Sequence, residues 1–273
     1  MLKFSKIIGA IAAVATLAGG AGAAHAADLY GGRGSIKDDN LPILMRAPAG
    51  PCYMRADVGY SLSGTPDVRW PVTDPGTGAY LGSRVSQVDI ADTWLLEGGV
   101  GCSGSGWRGE FVLGYRGNRK IDGEPILWNP PMLPIDDPLH TSITTYTAML
   151  NAYRNLGSWG NFTPYVGAGM GIAYHMVGDT TFTENPSLIH TIEGNRDISF
   201  AWQVMAGVGY QLTDRAVPDL GYRYIDMGKA TSGRADTAGF VNPRVVVDDI
   251  TAHELKIGIR YHFGADNGRV SMK

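Results

Sequence analysis

The side chains able to do chemistry fall into three sets. The first is six histidines: His25, His140, His175, His190, His253 and His262. None stands in an H-E-x-x-H pair, the spacing that turns two imidazoles toward one metal from a helix face. No G-x-S-x-G stretch offers a serine nucleophile at a strand-to-helix elbow either. The expectation is no catalytic residue, no metal site, no cofactor and no enzyme. The second set is the cysteine pair Cys52 and Cys102, an even count that invites one disulfide in an exported chain. The third is charged: Arg55, Asp57, Glu97, Arg108, Glu110, Arg223, Glu254, Lys256 and Arg260. Three pairs of opposite sign, Arg55 with Asp57, Arg108 with Glu110 and Glu254 with Lys256, stand two residues apart.

Spacing by two is the period of a β-strand, whose alternate side chains face opposite ways. Eight runs alternate in this manner: 53–62, 93–102, 107–116, 143–155, 162–176, 198–212, 217–227 and 250–263. In the last, His253, Leu255, Ile257, Ile259, Tyr261 and Phe263 share one face, against Glu254, Lys256, Gly258, Arg260 and His262. The breaks between runs alternate in length. Long ones cover 63–92, 117–142, 177–197 and 228–249, and short ones cover 103–106, 156–161 and 213–216. An even number of antiparallel strands can close up-and-down and leave no exposed edge. The 38 glycines suit barrel corners and crowded interiors, and the 13 tyrosines suit strands.

The two faces decide the solvent. The charges share their face with Gly, Gln and Asn, while the other is apolar, with Tyr60, Trp94, Trp107, Tyr115, Tyr174, Trp202, Tyr210, Tyr261 and Phe263 near run ends. Eight strands leave a lumen wide enough only for side chains, so the Gly-rich charged face must be the inner one. That is inside-out for a protein in water. The expected fold is all-β: an eight-stranded antiparallel up-and-down transmembrane β-barrel, in which lipid makes closure compulsory. The nine charges then form a lumenal network that plugs the barrel, the plainer alternative being charges left unpaired at wet rims. Short turns fall on the periplasmic side and long loops outside. Cys52 opens the first strand and Cys102 closes the second with the same face parity, so a bond between them fits cross-strand neighbours at the periplasmic rim.

The N-terminus carries Lys3 and Lys6, an apolar run from Ile7 to Leu17, and the A-x-A site Ala24-His25-Ala26. This predicts a signal peptide over 1–26 and Sec export. The full chain has a formal charge of −3, and loss of the two signal lysines leaves the mature chain at −5, with no nucleic-acid footprint. A flexible periplasmic arm is expected over 27–50, the barrel over 51–263 and a polar tail over 264–273.

Tyr53-Met54-Arg55-Ala56-Asp57-Val58-Gly59-Tyr60 resembles the first strand of small outer-membrane barrels related to the OmpA transmembrane domain, the alphaproteobacterial surface antigens among them. Thr163-Pro164-Tyr165-Val166-Gly167-Ala168-Gly169, Gly221-Tyr222-Arg223-Tyr224 and 255–263 resemble that family's fifth, seventh and eighth strands. The resemblance implies a Gram-negative outer-membrane location among outer-membrane lipids and lipopolysaccharide. It also implies insertion by the β-barrel assembly machinery, roles in envelope integrity and surface contact, and no shared catalytic residues. Lys256, Gly258, Tyr261 and Phe263 resemble its terminal-strand assembly signal, although the chain continues past that last aromatic. Two other functions stay open: a narrow channel for small solutes, and a lipid-modifying enzyme or ligand binder with His253 as a lipid-facing base.

Overall fold

The computed structural model describes residues 49–73, 80–125, 139–185, 188–233 and 244–265. Its strands are β1 (Ala49–Ser63), β2 (Asp67–Thr73), β3 (Tyr80–Ile90), β4 (Thr93–Gly104), β5 (Trp107–Pro125), β6 (Leu139–Asn155) and β7 (Phe162–Val177). They continue as β8 (Thr180–Asn185), β9 (Leu188–Ile192), β10 (Asn195–Tyr210), β11 (Ala216–Asp226), β12 (Ala230–Thr231), β13 (Val246–Asp248) and β14 (Thr251–Ala265). Eight of them, β5-β4-β1-β14-β11-β10-β7-β6 in hydrogen-bonded order, close when β6 pairs back onto β5. Every pairing is antiparallel, so the expected eight-stranded barrel is the observed one.

Closure follows from local chemistry. The β4–β5 hairpin turns on Ser105 and Gly106, with φ of 52° and 78°. Positive φ at both central residues matches the right-handed twist of the flanking strands, which is why so short a turn suffices at this short-turn end. Burial alternates along each strand as period two requires. On β14, Glu254, Lys256 and Arg260 are at most 6 % exposed, whereas Ile259, Tyr261 and Phe263 are 45, 46 and 42 % exposed. Apolar outside and ionic inside is the polarity that lipid selects and water opposes.

At the opposite, long-loop end the polarity reverts. Residues 63–92, 117–142, 177–197 and 228–249 read as polar connections, yet their described parts carry β2, β3, β8, β9, β12 and β13 and prolong several barrel strands. Here Ile90, Ile121, Ile143, Ile225, Met227 and Ile250 are buried in one apolar cluster. On the outer face of the same region Lys120, Asp122 and His140 are exposed, and Asp122 meets His140 at 2.7 Å. Water on the outside restores the ordinary rule that apolar side chains go in.

The change falls at a belt of rings. Tyr60–Trp94, Tyr115–Tyr146, Tyr146–Tyr174, Trp202–Tyr224 and Tyr224–His253 have centroids 5.2 to 6.4 Å apart. A second set at the short-turn end includes Trp107, Phe162, Tyr210, Tyr261 and Phe263, all exposed. Amphipathic rings settle where hydrocarbon meets headgroups. Along β1 the steps from Tyr60 to Cys52, each about 3.3 Å and tilted by about 40°, rise roughly 20 Å, near the height of an outer-membrane apolar band. The strands also overrun the expected barrel limits: Ala49 and Gly50 open β1, and Gly264 and Ala265 close β14. The expected signal peptide, most of the arm and the end of the tail lie outside the described residues.

Candidate functional site: the lumenal ion-pair lattice

Period two sends all nine charges expected in the lumen inward, each at most 6 % exposed. The central tier joins β4, β5, β11 and β14. Glu97 takes Arg223 at 2.6 Å, Lys256 at 2.8 Å and Arg116 at 3.8 Å. Glu254 takes Arg116 at 2.6 Å and also pairs with Arg223. Ser61 donates to Glu254 at 3.1 Å, and Arg116 Nη1 donates to Thr147 at 3.1 Å. Two carboxylates and three cations thus satisfy one another across the lumen, the condition under which buried charge is tolerable.

Toward the short-turn end two further groups form. Arg55 holds Asp57 through Nε at 2.7 Å and Nη2 at 2.6 Å, and it also pairs with Glu110. Tyr53 donates to Glu110 at 2.6 Å. Arg260 pairs with Asp219 at 3.1 Å, and Tyr165 donates to the same carboxylate at 2.6 Å. Arg108 departs from the expected pattern. No carboxylate among the described residues lies within ion-pair distance of it, and its guanidinium instead sits 4.7 Å from the Tyr153 ring and 4.5 Å from the Tyr165 ring.

Three buried charges stand outside the expected nine: Arg116, Arg119 and Asp219. Asp219 already shares a parity with Arg223, so its membership was legible. Arg116 ends the clean alternation of its run. Arg119 enters the lumen only because the β5–β6 register shifts between Arg116 and Arg119, a bulge that changes which parity faces in. Arg119 Nη2 donates to Thr145 at 2.8 Å, and Thr145 in turn meets His175 Nδ1 at 3.1 Å. Seven buried bases therefore face five buried acids: Arg55, Arg108, Arg116, Arg119, Arg223, Lys256 and Arg260 against Asp57, Glu97, Glu110, Asp219 and Glu254. These buried groups carry an excess of two positive charges.

Outside the lumen, Cys52 and Cys102 are opposite each other in the β1–β4 register and are disulfide-bonded. His253 faces outward, hydrogen-bonds Tyr222 at 2.6 Å and packs against Tyr224, the setting of an interfacial ring. His175 and His262 face in, as their parity requires; His175 is fully buried and His262 lies against the Tyr53 ring. Lys256 and Gly258 of the terminal-strand set point inward, while Tyr261 and Phe263 lie on the outer face. No group of three or more His, Cys, Asp or Glu among the described residues is arranged to hold a metal ion.

The chain is similar to known proteins. An uncharacterized protein of Brucella abortus strain 2308 is 28 % identical over 243 residues, spanning 77 % of this chain and 84 % of that protein. Outer membrane protein PagN of Salmonella typhimurium is 29 % identical over 48 % of this chain and 57 % of its own. Among solved structures, the outer membrane protein OprG of Pseudomonas aeruginosa superposes with a TM-score of 0.49 at 16 % identity, over 80 % of this chain and 99 % of that one. Neisserial surface protein A gives 0.44 at 17 % identity, over 79 % and 99 %. The outer membrane protein beta-barrel domain profile matches residues 11–263. The chain belongs to that family and resides in the Gram-negative outer membrane.

Proposed function

We propose that this protein is a plugged structural barrel, supporting envelope integrity and presenting its four long connections at the cell surface, without catalysis. The observation that carries the reading is the central tier of Glu97, Arg116, Arg223, Glu254 and Lys256, each buried and paired across the lumen. Passage of a solute would have to part these charges in a low-dielectric interior, at a cost of several kcal/mol per ion. The apolar cluster at the long-loop end adds a second seal. Planar-bilayer recording of the purified barrel tests this: the expected trace has no large stable conductance, and a persistent open channel overturns the plug.

The outward bands of Leu, Ile, Val and aromatic side chains support contact with outer-membrane lipids and lipopolysaccharide. The outward Tyr261 and Phe263 near the end of β14, with Lys256 and Gly258, support recognition by the β-barrel assembly machinery. Phe263→Ser is expected to lower the heat-modifiable, folded fraction in cells, and an unchanged fraction excludes that role.

A further inference from the structure

Arg55, Arg116 and Arg223 all use one edge of the guanidinium, the Nε–Nη2 fork, to hold a carboxylate. Arg108 is about as buried as they are, at 4 % exposure, and its Nε and Nη2 are buried without a hydrogen-bond partner. Its guanidinium carbon lies over the Tyr153 and Tyr165 rings, 4.7 and 4.5 Å from their centroids, and the two rings stand edge to face. Rings offset part of the charge but give the N–H groups no oxygen or carboxylate acceptor. The nearby acids are committed, Glu110 to Arg55 and Tyr53, and Asp219 to Arg260 and Tyr165. Arg260 adds a further donor at this end, an Nε that is also without a partner. Its guanidinium carbon lies 5.8 Å from the Tyr53 ring.

We propose that the Nε–Nη2 edge of Arg108 is a binding site for a small oxyanion, a phosphate or a short carboxylate, entering from the short-turn mouth. Two coplanar oxygens match the fork, and one anion offsets part of the positive excess in the lumen. Arg108 is the second residue of β5, directly after the Ser105–Gly106 turn, which places it beside that mouth. Nε and Nη2 are shut off from solvent, so the anion enters as the mouth opens, and free and bound forms exchange slowly.

The test uses the full mature chain folded in micelles with 15N-labelled arginine, titrated with inorganic phosphate or acetate at constant chloride. The Arg108 Nε–H resonance, assigned by its loss in Arg108→Lys, is expected to give way to a second, saturating signal. Phosphate is also expected to raise the unfolding midpoint of the parent. That rise should be lost in Arg108→Gln, weakened at least tenfold in ligand concentration in Arg108→Lys, and kept in Arg119→Gln. Should Arg108→Gln fail to fold, Arg108→Lys carries the comparison, because it keeps the charge and removes the fork. The absence of a saturable second signal, an equal response to chloride, or stabilisation that survives in the Arg108 variants would overturn the site.

Discussion

Arg116 grips Glu254 through both arms of its fork, Nε at 2.6 Å and Nη2 at 3.1 Å, from across the lumen. The two residues are 138 positions apart and three strands apart in the barrel order. Glu254 is also held by Arg223 and Ser61, so one carboxylate ties β1, β5, β11 and β14 together.

Glu254→Ala therefore leaves Arg116 and Arg223 buried with one carboxylate, Glu97, between them. Removing one member of a buried, hydrogen-bonded pair costs about 3–5 kcal/mol. Urea unfolding in lipid vesicles is expected to show a loss of that size. A change below about 1 kcal/mol would mean that the central tier does little for stability.

Gly258 lies against Asp57. A Cβ built there would stand 2.7 Å from Asp57 Cγ and 2.9 Å from the Ala56 carbonyl oxygen. Gly258→Ala must push the carboxylate that Arg55 holds, so it is expected to destabilise the barrel by about 1–3 kcal/mol, the usual cost of overpacking. The same unfolding assay reads it, and Gly109→Ala, which meets nothing within 4 Å, is the matched control.

On β5, Leu113 is 56 % exposed below the ring belt, and Lys120 is exposed above it. Leu113→Arg is expected to cost about 2–4 kcal/mol in a bilayer, because the charge must enter hydrocarbon. Lys120→Ala should change stability by less than about 0.5 kcal/mol, as a substitution in water does. Equal effects at the two positions would place the membrane boundary elsewhere.

The Cys52–Cys102 bond spans 50 positions and joins cross-strand neighbours. Thiol titration of the oxidised, denatured protein is expected to find no free thiol. Replacing both cysteines with serine should lower stability by about 2–4 kcal/mol, through the greater freedom of the unfolded chain.

Period two was enough to place Leu255, Ile257 and Ile259 outside and Glu254, Lys256 and Arg260 inside, because a strand offers each side chain only two directions. The even count of runs and the alternating break lengths then left closure as the arrangement without edges. Strand position and parity likewise brought Cys52 and Cys102 together. All of this is local information, repeated eight times.

Which acid meets which base was not local. The partners of Glu97 and Glu254 depend on strand tilt and on the stagger accumulated around the barrel, which sets residues far apart in the chain at one height. The bulge before Arg119 depends on how β5 pairs with β6, and it alone brings that arginine inside. The ordered apolar end beyond the ring belt was equally hidden. Ile90, Ile121 and Ile250 lie in short segments whose burial exists only once several strands rise together out of the membrane into water.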